Sequence, residues 1–231
     1  MTHWWRAAFR GAMAALAIAL SMPARAAGEA IEIGAANLVA ILRESLGENR
    51  PTEALEPYGK ILAQLEDGRE FEVEPSWFHY LGDMHIRMVF DGPQKMQSAT
   101  PEDLRRLRLD TEQALALAAG NLRRMYGAPE VRVWQGGLLQ VTGRASDLSS
   151  SYFLDREFWL DQQRHHPGGL VAAVPQRGGL VFAPADDVVA VERLRFGAVA
   201  LYAGSRQARV SSALYLFKDG RWTVFQPPLR R

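Results

Sequence analysis

Few side chains in this sequence have both the type and the spacing for chemistry. His79, Asp83 and His85 form the one His/carboxylate group close in sequence. As metal ligands they would support metal-assisted hydrolysis. Zinc, however, wants three or four such groups converging at about 2.0–2.2 Å, and the spacing of His79 and His85 does not bring them together by itself. Arg87 beside His85, and Arg177 in a Gly-flanked loop, carry guanidinium groups suited to bidentate recognition of a carboxylate or phosphate. Asn121 is polar on a mostly apolar helix, where it would hydrogen-bond a neighbouring loop or line a site. Ser149-Ser150-Ser151 beside Asp147 lacks the Gly-x-Ser-x-Gly turn of a nucleophile elbow and suits helix capping instead. His165-His166 precedes Pro167-Gly168-Gly169 and marks a helix exit. The Gly-Gly pairs at 136, 168 and 178 are turn residues, not a phosphate-cradling loop. No catalytic set and no cofactor motif emerges, and no metal is assigned.

The elements that must position these residues centre on a strand. Met84 to Asp91 alternates, with Met84, Ile86, Met88 and Phe90 on one face and His85, Arg87 and Val89 on the other. Before it, Ala35 to Leu46 reads as a helix, with Leu38, Ile41, Leu42 and Ser45 on one side and Gly47 as its stop. Residues 48–60 are turn-rich, Ile61 to Leu65 has no decisive period, and Glu70 to Glu74 alternates as a half-buried strand. Pro75 to Tyr80 is an aromatic connector. Its Trp77, Phe78 and Tyr80, with the aromatic terminal hairpin, are the expected surfaces for a partner.

After the strand, Thr100-Pro101 with Asp103 starts a short helix, and Asp110 with Gln113 caps a longer one that ends at Gly127. Gly120 inside that helix costs about 1 kcal/mol relative to Ala, which suggests close approach to a sheet. Glu130–Gln135 and Leu138–Thr142 flank Gly136-Gly137 as a hairpin, and Phe153–Arg164 is helical. Leu170–Val174 and Leu180–Ala183 form a second hairpin. Asp186 caps a helix to Ala203, and Ala213–Phe217 pairs with Trp222–Gln226 through Asp219-Gly220. Strands arriving as hairpins predict an α+β fold, with a mostly antiparallel sheet and helices packed on it.

The leader is the clearest sign of location. Arg6 and Arg10 give a positive start, Ala12 to Leu20 a short apolar stretch, and Ala24-Arg25-Ala26 the small residues of a cleavage site. Residues 1–26 are read as a secretory signal peptide cleaved near Ala26, and residues 27–231 as one domain, with the Ser-rich run at 146–151 as the place where two lobes would meet. The whole chain has 27 basic and 26 acidic residues, and the leader takes three arginines with it. A mature chain that is faintly acidic lacks the basic footprint of a nucleic-acid binder. An apolar stretch this short does not span a bilayer, which needs about 20 residues. The absence of cysteine excludes disulfides, thiolate catalysis and a lipid-anchored N-terminal cysteine. The expected product is a periplasmic or secreted monomer.

Several phrases together resemble the YtpQ-like family of uncharacterised bacterial proteins, a domain of unknown function. They are Leu81-Gly82-Asp83-Met84-His85, Ser98-Ala99-Thr100-Pro101-Glu102-Asp103-Leu104, Ala118-Ala119-Gly120-Asn121-Leu122, Val171-Ala172-Ala173-Val174-Pro175-Gln176-Arg177 with the loop to Phe182-Ala183, and Asp219-Gly220-Arg221-Trp222. They run in the family's order over most of the chain. The resemblance implies an α+β fold and carries no established catalytic residues. The functional expectation is a non-catalytic binding domain for a protein partner or a small anionic ligand, with ligand contacts at His85, Arg87, Arg177 and Asn121. The alternative is a metal-assisted hydrolase-type enzyme using His79, Asp83 and His85.

Overall fold

Three strands, here β10 to β12, are apolar on both faces, and this dictates the layering. The computed structural model describes residues 31–64 and 68–229. In chain order the first elements are β1 (Leu38–Glu44), β2 (Glu56–Pro57), β3 (Ile61–Gln64), β4 (Glu70–Val73), β5 (Trp77–His79), β6 (Met84–Asp91) and β7 (Met96–Ser98). Then come α1 (Pro101–Arg106), α2 (Thr111–Tyr126), β8 (Glu130–Val133), β9 (Leu139–Thr142), α3 (Arg156–His165), β10 (Leu170–Gln176) and β11 (Gly179–Pro184). The chain closes with α4 (Val188–Gly204), β12 (Leu214–Lys218) and β13 (Arg221–Gln226). The fold is α+β and its strand pairings are antiparallel.

One sheet has the order β13-β12-β10-β11-β9-β8. On β10, Leu170, Ala172 and Val174 join the main core, while Val171 and Ala173 join a second apolar cluster with Ala190, Val191, Leu194 and Ala198 of α4. Alternation thus buries both faces, one under α4 and one under an aromatic core. That core contains Tyr152, Phe153, Trp159, Phe182, Tyr215, Phe217 and Trp222, each at or below 1 % exposure. Its far side is the second sheet, of order β1-β6-β5-β2, with β7 also on β6. Tyr80 of the segment after β5 meets Phe153 edge-on at 6.4 Å. The hairpin β3-β4 stands apart, and Glu70, Phe71 and Glu72 on it are exposed rather than half-buried as the alternation suggested.

Local rules hold where caps and turns are explicit. Thr100 and Asp103 make a full capping box at α1, and Asp110 and Gln113 another at α2. The Gly136-Gly137 and Asp219-Gly220 turns join β8 to β9 and β12 to β13 as read. Three expectations need correction. Residues 38–44 are strand β1, not helix, because Leu38 to Leu42 are buried on both faces and a continuous apolar run carries no period-2 signal. The aromatic connector contains strand β5, paired to β6. The N-cap of α4 is Asp187, whose side chain accepts from the Ala190 N–H at 2.9 Å, one residue later than expected.

Gly120 is also corrected. It sits on the exposed side of α2, and a Cβ there would meet nothing within 4 Å. It therefore serves no close packing. Gly120→Ala is expected to raise stability by about 0.5–1 kcal/mol, read as a higher denaturant midpoint at unchanged slope. The leader expected at residues 1–26 lies outside the described residues. No helix among the described residues is long and apolar enough to cross a membrane.

Candidate functional site

The second sheet has one face that starts apolar and turns cationic. Leu38, Ala40 and Leu42 of β1 share one face with Met84, Ile86, Met88 and Phe90 of β6, and residues of both faces belong to the main core. On the opposite face Val39, Ile41 and Val89 are still buried, and beyond them the register builds two polar rows. Arg43 lies across from His85, which lies across from His79. Ile41 lies across from Arg87, which lies across from Trp77. Tyr58, bonded through its N–H to the Trp77 carbonyl at 2.9 Å, continues the second row.

These side chains interlock. The Arg87 guanidinium lies 3.7 Å from the centre of the Trp77 ring, and such a stack preserves its charge while shielding one face. Arg87 Nε donates to His85 Nε2 at 2.8 Å. A guanidinium can only donate, so Nε2 accepts and the imidazole proton sits on Nδ1, 3.2 Å from Ser45 Oγ. Ser45 Oγ is in turn 2.8 Å from the Tyr58 hydroxyl. Tyr58 stacks on His79 with ring centres 4.0 Å apart. Burial first, then the Arg87 charge, with smaller pushes from Arg43 and His79, lowers the His85 pKa to about 3. His85 is thus a neutral, fixed part of the wall, buried at 2 % exposure.

Arg177 joins from the other sheet. The end of β1 is tied to α4 by the Tyr202 hydroxyl donating to Glu44. Arg209 Nε donates to the Tyr202 carbonyl at 2.8 Å, and Arg209 forms a bridge with Gln176. Arg177, next along, donates Nη2 to the Gln207 carbonyl at 3.1 Å. Its charge acts on both Arg43 and Arg87. Burial, then the charges of Arg177 and Arg87, brings Arg43 down to about 10, and burial with Arg177 also lowers Arg87 against an opposing effect of Tyr58. Among the described residues, none of the three arginines forms an ion pair with a carboxylate.

Of the residues read from sequence as ligand contacts, His85, Arg87 and Arg177 come together. Asn121 does not. Its amide donates to the Ala35 and Leu38 carbonyls at 2.7 and 2.8 Å, pinning the segment that enters β1, and both its donor hydrogens are used in that role. Phe78 and Tyr80 are not a partner surface either. They are 5 % and 4 % exposed and face the core, as do Tyr215, Phe217 and Trp222 of the terminal hairpin. Trp77 is half-buried in the arginine cluster.

The His79, Asp83, His85 set does not converge as a metal site. The Asp83 carboxylate accepts from the Ser211 and Tyr215 hydroxyls of the other sheet's neighbourhood, while both nitrogens of His85 have partners within the wall. Among the described residues no three His, Asp or Glu are placed to hold a metal ion. Ser149, Ser150 and Ser151 lie buried in a 3-10 segment, Ser146–Leu154.

Arg43, Ser45 and Tyr58 were missed. A strand reading of residues 38–44 would have found Arg43, since alternation then pairs it with the His85 face. Nothing local marked Tyr58, which lies in a turn-rich stretch. No family model, no curated protein and no solved structure matches the chain, so the functional reading rests on this geometry.

Proposed function

We propose that the chain is an exported, non-catalytic binding protein of YtpQ-like kind, and that its ligand is a small anion held by Arg43, Arg87 and Arg177. One observation carries this reading: Arg43 and Arg87 are half-buried on one sheet face beside Trp77 and the Tyr58–His79 stack, the half-buried Arg177 is near enough for its charge to act on both, and among the described residues none of the three is ion-paired to a carboxylate. Like charges brought together where water is partly excluded raise the energy of the folded chain, and an anion at the cluster relieves that. A second observation agrees. Trp77 Nε1, His79 Nδ1 and Arg177 Nε are buried and find no hydrogen-bond partner among the described residues. Buried polar atoms are usually paired, so three orphans at this site, among eight in the described residues, are consistent with a missing acceptor or a rearrangement on binding.

The lone pair of His85 on Nε2 is taken by Arg87, and its Nδ1 carries the proton that faces the Ser45 hydroxyl, so His85 has no free base to offer that hydroxyl and binding without turnover is the chemistry these groups favour. The test is calorimetric titration of the purified chain with inorganic oxyanions and small carboxylates. The unaltered protein is expected to bind at least one class. Arg43→Gln/Arg177→Gln, which leaves the Arg87–His85 bond intact, is expected to bind at least about tenfold more weakly, in line with 1.5–3 kcal/mol for hydrogen bonds to charged groups. Its thermal stability is not expected to fall, because repulsion is removed. Equal binding by the double variant, or no binding of any anion, would refute the reading.

A further inference from the structure

We propose that the group bound at this cluster is a phosphate dianion rather than a carboxylate. The inference rests on the anion-binding reading above. Among the described residues each guanidinium is tethered by a single side-chain hydrogen bond: Arg43 Nη1 to the Leu42 carbonyl at 2.7 Å, Arg87 Nε to His85 Nε2 at 2.8 Å, and Arg177 Nη2 to the Gln207 carbonyl at 3.1 Å. A guanidinium has five N–H donors in a planar fork, so each retains an unused edge. The three come from β1, from β6 and from the turn between β10 and β11. Arg43 and Arg87 share one face of the β1–β6 pair, and Arg177 comes from the other sheet, near enough for its charge to act on both.

A carboxylate is flat and offers two oxygens, which two forks saturate. A phosphate monoester offers three terminal oxygens around a tetrahedron and up to two negative charges, one oxygen for each arginine. Charge points the same way. One carboxylate would leave two of the three positive charges uncompensated in a half-buried site, whereas a phosphate dianion leaves one. Trp77 and the Tyr58–His79 stack beside the charges give an apolar wall against which the carbon side of an ester can lie.

The charged and titratable groups on this face are Arg43 on β1, His85 and Arg87 on β6, His79 on β5, Glu56 on β2 with its ion-pair partner Arg50, Tyr58 after β2, and Arg177 from the β10–β11 turn. Arg43 and Arg87 stay charged and His85 stays neutral through the range where a phosphate monoester takes its second ionisation, near pH 6. Sulfate has the same shape and no ionisation in that range. Any titration on the protein side therefore affects both ions alike, and the ratio of their affinities isolates the ligand's own proton.

The experiment titrates the purified chain with inorganic phosphate, phenyl phosphate, sulfate and succinate between pH 5 and pH 8. Phosphate is expected to bind more tightly than succinate at pH 8. The phenyl phosphate-to-sulfate affinity ratio should rise about tenfold from pH 5 to pH 7 and then level. Tighter binding of phenyl phosphate than of inorganic phosphate assigns the group to an ester, and the reverse order assigns it to the free ion. Both support the dianion. Succinate binding with neither phosphate nor phenyl phosphate would overturn the inference and leave the anion-binding reading standing. Failure of all four would bring down both. Unchanged phosphate affinity in Arg43→Gln/Arg177→Gln would place the ion elsewhere and overturn the inference too.

Discussion

Replacing Trp159 with alanine is expected to lower the unfolding free energy by about 3–5 kcal/mol, the range for deleting a large buried ring. Trp159 lies on α3, whose first turn is capped by Asp155 accepting from the Phe158 N–H at 3.1 Å. Arg123 of α2 grips the same carboxylate with two N–H groups, so the helix carrying Trp159 is fixed before the ring is placed. The ring is fully buried. It sits 4.8 Å from Trp222, 5.3 Å from Phe182 and 4.9 Å from Phe158, all near edge-to-face, the arrangement aromatic quadrupoles prefer. Its Nε1 donates to the Tyr152 carbonyl at 2.9 Å, which anchors the 3-10 segment between the sheets. Alanine would remove both the packing and that bond, and leave the carbonyl buried. Trp159→Phe keeps a ring but not the donor and should fall between wild type and alanine. Denaturant unfolding with unchanged slope is the measurement. A loss below about 1 kcal/mol would mean the core collapses around the gap and that the layers do not depend on this side chain.

How much of this was legible in the sequence differs between fold and site. Caps and turns are local, so Thr100, Asp110, Gly136-Gly137 and Asp219-Gly220 announced their elements. Strand β1 did not, because burial is a property of what packs above and below a strand, and both sides of Leu38 to Leu42 are apolar. The spacing of Leu38, Ile41, Leu42 and Ser45 then mimicked a helix. That one misreading concealed Arg43. On a helix its neighbours would have been its own turns, whereas on a strand it meets His85. The meeting of Arg177 with Arg87 depends on two sheets closing on each other, which no local pattern encodes. The guanidinium chemistry of Arg87 and Arg177 was readable from residue type alone, and only their company was not.

The last expected result concerns Asp83, which ties the two sheets together. Its carboxylate accepts from the Ser211 hydroxyl and from the Tyr215 hydroxyl at 3.2 Å, and those two hydroxyls are 2.6 Å apart. Gly82 makes the approach possible. Its φ is +59°, and a Cβ there would stand 2.6 Å from the Tyr215 hydroxyl oxygen. Burial, only partly offset by those hydrogen bonds, raises the Asp83 pKa to about 6. The unfolded value is about 3.9. Because the folded value is the higher one, the folded chain takes up a proton near pH 6 that the unfolded chain takes up only near pH 4. Stability from this group is therefore fully present below about pH 4 and is lost as pH rises through 6. Two units correspond to roughly 2–3 kcal/mol.

Asp83→Asn is expected to remove that dependence. At pH 8 the variant should be more stable than wild type by up to this amount, and at pH 4 the two should agree within about 1 kcal/mol. The Ser211 and Tyr215 bonds both end on Oδ1, which an amide oxygen can replace, and the residue borders a cleft of about 720 Å³ shared with Glu44, Glu48 and Tyr202, where an amide nitrogen can meet water. Unfolding curves at pH 4 through 8 decide it. A wild-type-minus-variant difference that stays constant across that range would show that Asp83 ionises alike in both states and that the buried link carries no charge penalty.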